Sequence, residues 1–147
     1  MDSKQGRKNR MAGQRFELKV RKDMESKKWI VDRWSNNVDF NFSKNYTKDT
    51  FPIKGKLIPA KSRFGLRTTG FPDFIAFTRT ACWNCTTHGF GECGYEVIGI
   101  ECKSNGYLSK EEKEKVKWLL SNNIFSKIYI ASKGKKGEII YKEVKNG

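Results

Sequence analysis

The chain is poor in acid, proline and histidine. Of 147 residues, 16 are Asp or Glu against 30 Lys or Arg, three are Pro and one is His. No run is long and apolar enough to span a membrane, so a membrane-embedded class is not expected. The opening MDSKQGRKNRMAGQR is basic but lacks an apolar h-region. That argues against a secretory leader, and residues 1–12 read as a flexible basic arm. There is no internal repeat and no long low-complexity linker. The length suits one domain with one core, over residues 13–147. Cysteines are few: Cys82, Cys85, Cys93 and Cys102. Without an export signal they argue against a disulfide framework and for an intracellular, cytoplasmic setting.

What the chain has in excess is positive charge, a net +14. Such a field favours an anionic partner, nucleic acid first and an acidic membrane surface second. A merely basic or ribosome-associated protein would show the same balance. Charge alone does not separate binding from cutting or packaging. Arg15, Lys61, Arg63 and Arg67 are candidates to touch phosphates, although a solvated loop explains any one of the last three equally well.

The periodicity predicts a mixed α/β domain. Phe16, Val20 and Met24 recur every fourth residue in a charged stretch, a narrow apolar stripe on a helix over 14–28, with Glu17 at its edge. WIVDRWS (29–35) is a strand candidate. Residues 36–69 read as irregular, with at most one short strand. FPDFIAFTRT (71–80) and YEVIGIECKS (95–104) are the clearest strands. Ser109 with Glu112 forms a capping-box pattern ahead of Val116, Leu119 and Leu120 at helical spacing. KIYIAS (127–132) and EIIYKEV (138–144) flank the turn-rich KGKKG, a hairpin. A sheet at the centre with helices against it is the expected architecture.

Two features within the strands are unexpected. GFPDF puts a carboxylate where the chain turns apolar, and IECKS ends a strand with a glutamate and a lysine two apart. Alternation places Ile100 and Cys102 on one strand face, the core side, and Glu101 and Lys103 on the other. If the two strands are neighbours, Asp73 lies opposite Glu101. Two carboxylates that close resist ionising together. Mg²⁺, an oxygen-seeking cation that uses one or two carboxylates plus water and phosphate, resolves the conflict. It would activate water at a scissile phosphate, with Lys103 orienting the water or stabilising the oxyanion. The bland account is a Glu101–Lys103 surface ion pair and an Asp73 that only opens a strand.

Pro72-Asp73, a spacer, and then Glu101-x-Lys103 resembles the PD-(D/E)xK nuclease superfamily. GQRFEL resembles the opening helix of archaeal Holliday-junction resolvases. TGFPDF and KSNGYLSKEEKEKVKWLL resemble VRR-NUC and related phage-type nucleases. The likeness covers roughly residues 13–35 and 68–132. It implies a restriction-endonuclease-like fold and a prokaryotic or viral nuclease of DNA repair or recombination. It also implies Mg²⁺ or Mn²⁺ on Asp73, Glu101 and the backbone carbonyl of Cys102. Lys103 would activate the water, Glu17 would complete the metal shell, and the products would carry a 5′-phosphate and a 3′-hydroxyl. Two departures stand out. The spacer between Asp73 and Glu101 is 27 residues, longer than is usual. Glu112 stands where VRR-type members place a glutamine.

An insertion over 80–95 accounts for the long spacer. Cys82, Cys85, His88 and Cys93 follow a C-x₂-C-x₂-H-x₄-C pattern. Three cysteines and a histidine are a tetrahedral zinc complement, similar to a zinc knuckle with a shorter middle gap. Zinc would staple a Gly-rich hairpin that is otherwise costly to order. Reduced packing thiols, or a disulfide, remain the alternatives. Trp83 and Phe90 would give the hairpin a base-stacking surface, or simply cover the metal. Assigning its one histidine to this cluster weakens an HNH-nuclease reading without excluding it. The expectation is a metal-dependent DNA endonuclease, acting on branched DNA and, if it resolves junctions, as a homodimer. The rivals are a non-catalytic zinc-finger protein that binds nucleic acid and an RNA-directed nuclease with the same site.

Overall fold

The stripe of Phe16, Val20 and Met24 decides where the first helix lies. In a computed structural model, which describes residues 3–41, 54–66, 68–80 and 94–145, helix α1 runs Ser3–Ser26 and buries all three against the sheet. Each such burial stabilises by about 1.5–3 kcal/mol. Tyr141 adds a tie, its hydroxyl donating to Asp23 Oδ2 at 2.7 Å. The helix ends in a Schellman-type turn. The N–H groups of Lys28 and Trp29 donate to the carbonyls of Glu25 and Met24, at 3.0 and 3.2 Å. Lys28 sits there with φ of 69°, a left-handed position that glycine usually takes.

Helix α1 takes in residues 3–12, the stretch read from the sequence as a flexible arm. No proline interrupts them, and extending a helix already nucleated by docking costs little. Gln5 and Asn9 hydrogen-bond across one turn. Residues 4–15 are exposed.

Five strands form the main sheet in the order β1 (Ile30–Arg33), β4 (Phe74–Arg79), β5 (Tyr95–Cys102), β6 (Lys127–Lys133), β7 (Ile139–Glu143). All pairings are antiparallel except β5 with β6, which α2 (Lys110–Ser121) joins by a crossover. Alternation divides the sheet cleanly. Phe74, Ala76, Ile98, Ile100 and Ala131 face α1, while Ile128 and Ile130 face α2 with Val116, Trp118 and Leu119. The capping box at Ser109 forms as expected, with Ser109 Oγ accepting from the Glu112 N–H and Glu112 Oε2 from the Ser109 N–H.

Residues 36–69 hold more structure than their composition suggests. Asn36–Asp39 (β2) and Lys56–Pro59 (β3) pair as a separate antiparallel ribbon. Val38 is buried there in the α2-side core. Gly55 lets the ribbon approach, because a Cβ there would lie 2.3 Å from the Trp118 indole nitrogen. Among the described residues no helix is long and apolar enough to cross a membrane.

Candidate active site

The register brings the two unexpected carboxylates together. Phe74 pairs with Ile100, so Asp73 lies across from Glu101 at the ends of the two central strands. The residues clasp each other. The Asp73 N–H donates to Glu101 Oε2 at 3.2 Å, and the Cys102 N–H donates to Asp73 Oδ2 at 2.8 Å. The GFP segment holds Asp73 from behind. The Gly70 N–H donates to Trp34 O, the Phe71 N–H to Asn36 O, and the Trp34 N–H to Asp73 O. Any side chain at position 70 would strike the Asn36 backbone, since a Cβ there would lie 2.0 Å from its carbonyl oxygen. Pro72 packs over Gly99 in the same manner, and a Cβ on Gly99 would lie 2.7 Å from the proline ring. Pro72 would face Cys102 if the ladder continued. Having no N–H, it offers the Cys102 carbonyl no ladder partner.

Burial sets the electrostatics. Glu101 is the one buried charged residue among those described, 5% exposed. Desolvation, and then the charge of Asp73, push its carboxyl up to about 8, against the pull of Lys103. Desolvation also raises Asp73 to about 6; the Cys102 N–H opposes this and the charge of Glu17 adds to it. The Lys103 ammonium stands 3.3 Å from Glu101 Oε1 and 2.6 Å from Glu112 Oε1. Burial would lower Lys103, but the Glu112 hydrogen bond and the Glu101 charge outweigh it and hold the group above the usual lysine range. Burial would raise Glu112, but the hydrogen bonds from Lys103 and Ser109 hold it below the ordinary carboxylate range.

Glu17 faces the site without joining the clasp. It lines a cleft of about 280 Å³ with Phe16, Cys102, Ser104 and Lys133. Its carboxylate stands 3.6 Å from the Arg33 guanidinium, which also donates to Thr69 Oγ1 at 2.9 Å. Among the described residues, no three carboxylate, histidine or cysteine side chains stand ready as a metal-ligating group. Cys102 is half-buried rather than wholly core. Its thiol leans on Asp73, and burial, then that charge, push it well up.

The other expected residues fall on separate elements. Arg15 lies on the exposed part of α1 and lines a second cleft with Lys19 and Lys133. Lys61 and Arg63 are exposed after β3, with Arg63 stacked 4.9 Å over the Phe64 ring. Arg67 and the set Cys82, Cys85, His88 and Cys93 lie outside the described residues, so the expected zinc site does too. Two partners escaped the sequence reading. Glu112 was legible as a helix cap but not as the anchor of Lys103. Arg33 carries no signal of its own; only the β1–β4 register, in which it faces Phe74, brings it beside the site. No family model, curated protein or solved structure matches the chain.

Proposed function

We propose that the protein is a metal-dependent endonuclease of the PD-(D/E)xK type, with a restriction-endonuclease-like core, acting on DNA. The observation that carries this reading is the convergence of Asp73, Glu101 and Lys103 from two central strands into hydrogen-bond and ion-pair distance. A structural ion pair does not need a second, half-buried carboxylate beside it.

The donor set fits a hard dication. Asp73 and Glu101 supply carboxylate oxygens whose mutual repulsion a cation relieves, and the Cys102 carbonyl has no partner on Pro72. Mg²⁺ or Mn²⁺ held there supplies a more acidic water and neutralises charge on the scissile phosphate. Lys103 directs its ammonium at the attacking water and the developing oxyanion. Water oxygen bonds to phosphorus as the bond to the 3′ oxygen breaks, and that oxygen leaves as a 3′-hydroxyl, opposite a 5′-phosphate. Glu112 fixes Lys103, and Arg33 fixes Glu17 at the rim of the site.

Branched DNA is the substrate favoured by the family resemblance, with a homodimer to make paired cuts. Zinc on Cys82, Cys85, His88 and Cys93 would stiffen the insertion. The test incubates wild type and Lys103→Ala with labelled four-way junction, duplex, single-stranded DNA and RNA, in Mg²⁺, Mn²⁺ or EDTA. Cutting that EDTA and Lys103→Ala both abolish, with binding retained, supports the reading, and the preferred nucleic acid separates DNA from RNA. Binding of all four without cutting in either metal overturns it in favour of a non-catalytic nucleic-acid-binding protein.

A further inference from the structure

A groove of about 740 Å³ opens where the Lys103 segment leaves the sheet, between α2 and the β6–β7 pair. That is the size of a small-ligand site rather than of a surface dimple. Its floor is apolar, made by Leu108, Val116 and Ile130, which are buried. At its mouth stands Tyr107, 78% exposed. Lys113, Lys117, Lys142 and Lys145 also line it, and all four are exposed. None of these lysines is ion-paired among the described residues. The groove adjoins the carboxylate clasp. The Gly106 N–H closes a turn on the Lys103 carbonyl at 2.8 Å, and Asn105 Oδ1 accepts the Tyr107 N–H at 3.1 Å. Ile130, on the floor, is the register partner of Glu101.

We propose that this groove takes an unpaired nucleotide flanking the phosphate at the clasp, its base against Tyr107 and the apolar floor and its phosphates on the lysines. An exposed ring beside unpaired cations is the combination that holds single strands, because every base offers a face to stack and every linkage a charge. A paired duplex presents no free base face, since its bases are already stacked on one another. Four lysines against the single lining acid, Glu143, fix the sign of the occupant. The choice of nucleic acid rests on the nuclease reading, so the test needs no cleavage.

Full-length protein in EDTA is titrated with two oligonucleotides of one sequence. One is fully paired. The other carries a short single-stranded gap with 2-aminopurine in it. Tyr107→Ala is expected to weaken gapped binding by about 5- to 100-fold and to abolish 2-aminopurine quenching. Duplex binding should stay within about twofold, and Tyr107→Phe should restore both gapped readouts. Because Tyr107 is exposed, an unchanged melting temperature certifies the fold. Lys142→Ala with Lys145→Ala should lower gapped affinity and its salt dependence. Equal gapped affinity of wild type and Tyr107→Ala, or an equal loss on both oligonucleotides, overturns the proposal. So does displacement of the gapped strand by a polyglutamate peptide at lower concentration than by an unlabelled single strand. Quenching without cutting in either Mg²⁺ or Mn²⁺ leaves the groove standing and removes the nuclease reading.

Discussion

The Lys103 ammonium lies between two glutamates, 2.6 Å from Glu112 and 3.3 Å from Glu101. Glu112 thereby does two jobs. One oxygen closes the α2 capping box on the Ser109 N–H, and the other holds the lysine. The helix start and the Lys103 ammonium share one carboxylate.

Substitution separates those jobs. Ser109→Ala removes the cap acceptor and should cost about 1 kcal/mol of stability, with little change in cutting. Glu112→Gln keeps an oxygen for the cap but loses the charge that anchors Lys103. Cutting should fall by roughly 10- to 100-fold while the melting temperature moves little. Paired denaturation and cleavage assays on the two variants check this, and equal cleavage by both would show that Glu112 only caps.

Gly99→Ala should act on Asp73 through Pro72. The added methyl would stand 2.7 Å from the proline ring and 3.3 Å from Ile128, so one of them must move. The expected cost is about 1–3 kcal/mol, as for other overpacked cores. Cleavage should fall more than the folded fraction explains. A chemical melt alongside activity at a temperature where the variant stays folded measures both.

The metal-free protein should lose stability as pH rises. Glu101 and Asp73 titrate near 8 and 6 when folded and near ordinary carboxylate values when unfolded, so the folded state binds more protons between those limits. Stability contributed by the protonated pair is fully present below about pH 4 and is lost through pH 8. Glu101, raised furthest from its ordinary range, should contribute the larger part of the loss. Glu101→Gln should flatten this slope and raise stability at pH 8, read from urea melts in EDTA. Saturating Mg²⁺ should flatten it in the wild type. A wild-type profile that rises between pH 5 and 8 contradicts the assignment.

Lys28→Gly should stabilise the fold. Lys28 holds φ of 69° in the turn that ends α1, a conformation that costs a side-chain-bearing residue about 1 kcal/mol relative to glycine. The variant should gain about 0.5–1 kcal/mol in a denaturant melt without a change in cutting.

The sequence made the two central strands, the capped helix and the β6–β7 hairpin legible, because each carries its own periodicity or turn chemistry. Strand alternation put Glu101 and Lys103 on one face; Asp73 came opposite only on the assumption that the two strands are neighbours, which the register bears out. The β2–β3 ribbon was not legible. Its one fully buried apolar residue is Val38, and what covers the ribbon is Trp118, far along the chain. The helical start of α1 escaped for a related reason: its residues are exposed, and it extends from the docked stripe that follows it. Arg33 and the second job of Glu112 depend on the path of the chain between elements, which no local spacing encodes.

The mutual clasp of Asp73 and Glu101 also governs when the site exists. Neither carboxylate can hold its place unless both strands are zipped to their ends, since each is steadied by a backbone amide of the opposite strand. A partly melted molecule therefore carries no half-competent centre. On the proposed nuclease reading, competence and the last rungs of the central ladder switch on together, so the amide protons of Asp73 and Cys102 should exchange with solvent at the pace of inactivation. For a nuclease, that coupling would spare the cell a loosened, indiscriminate form of its own cutting enzyme.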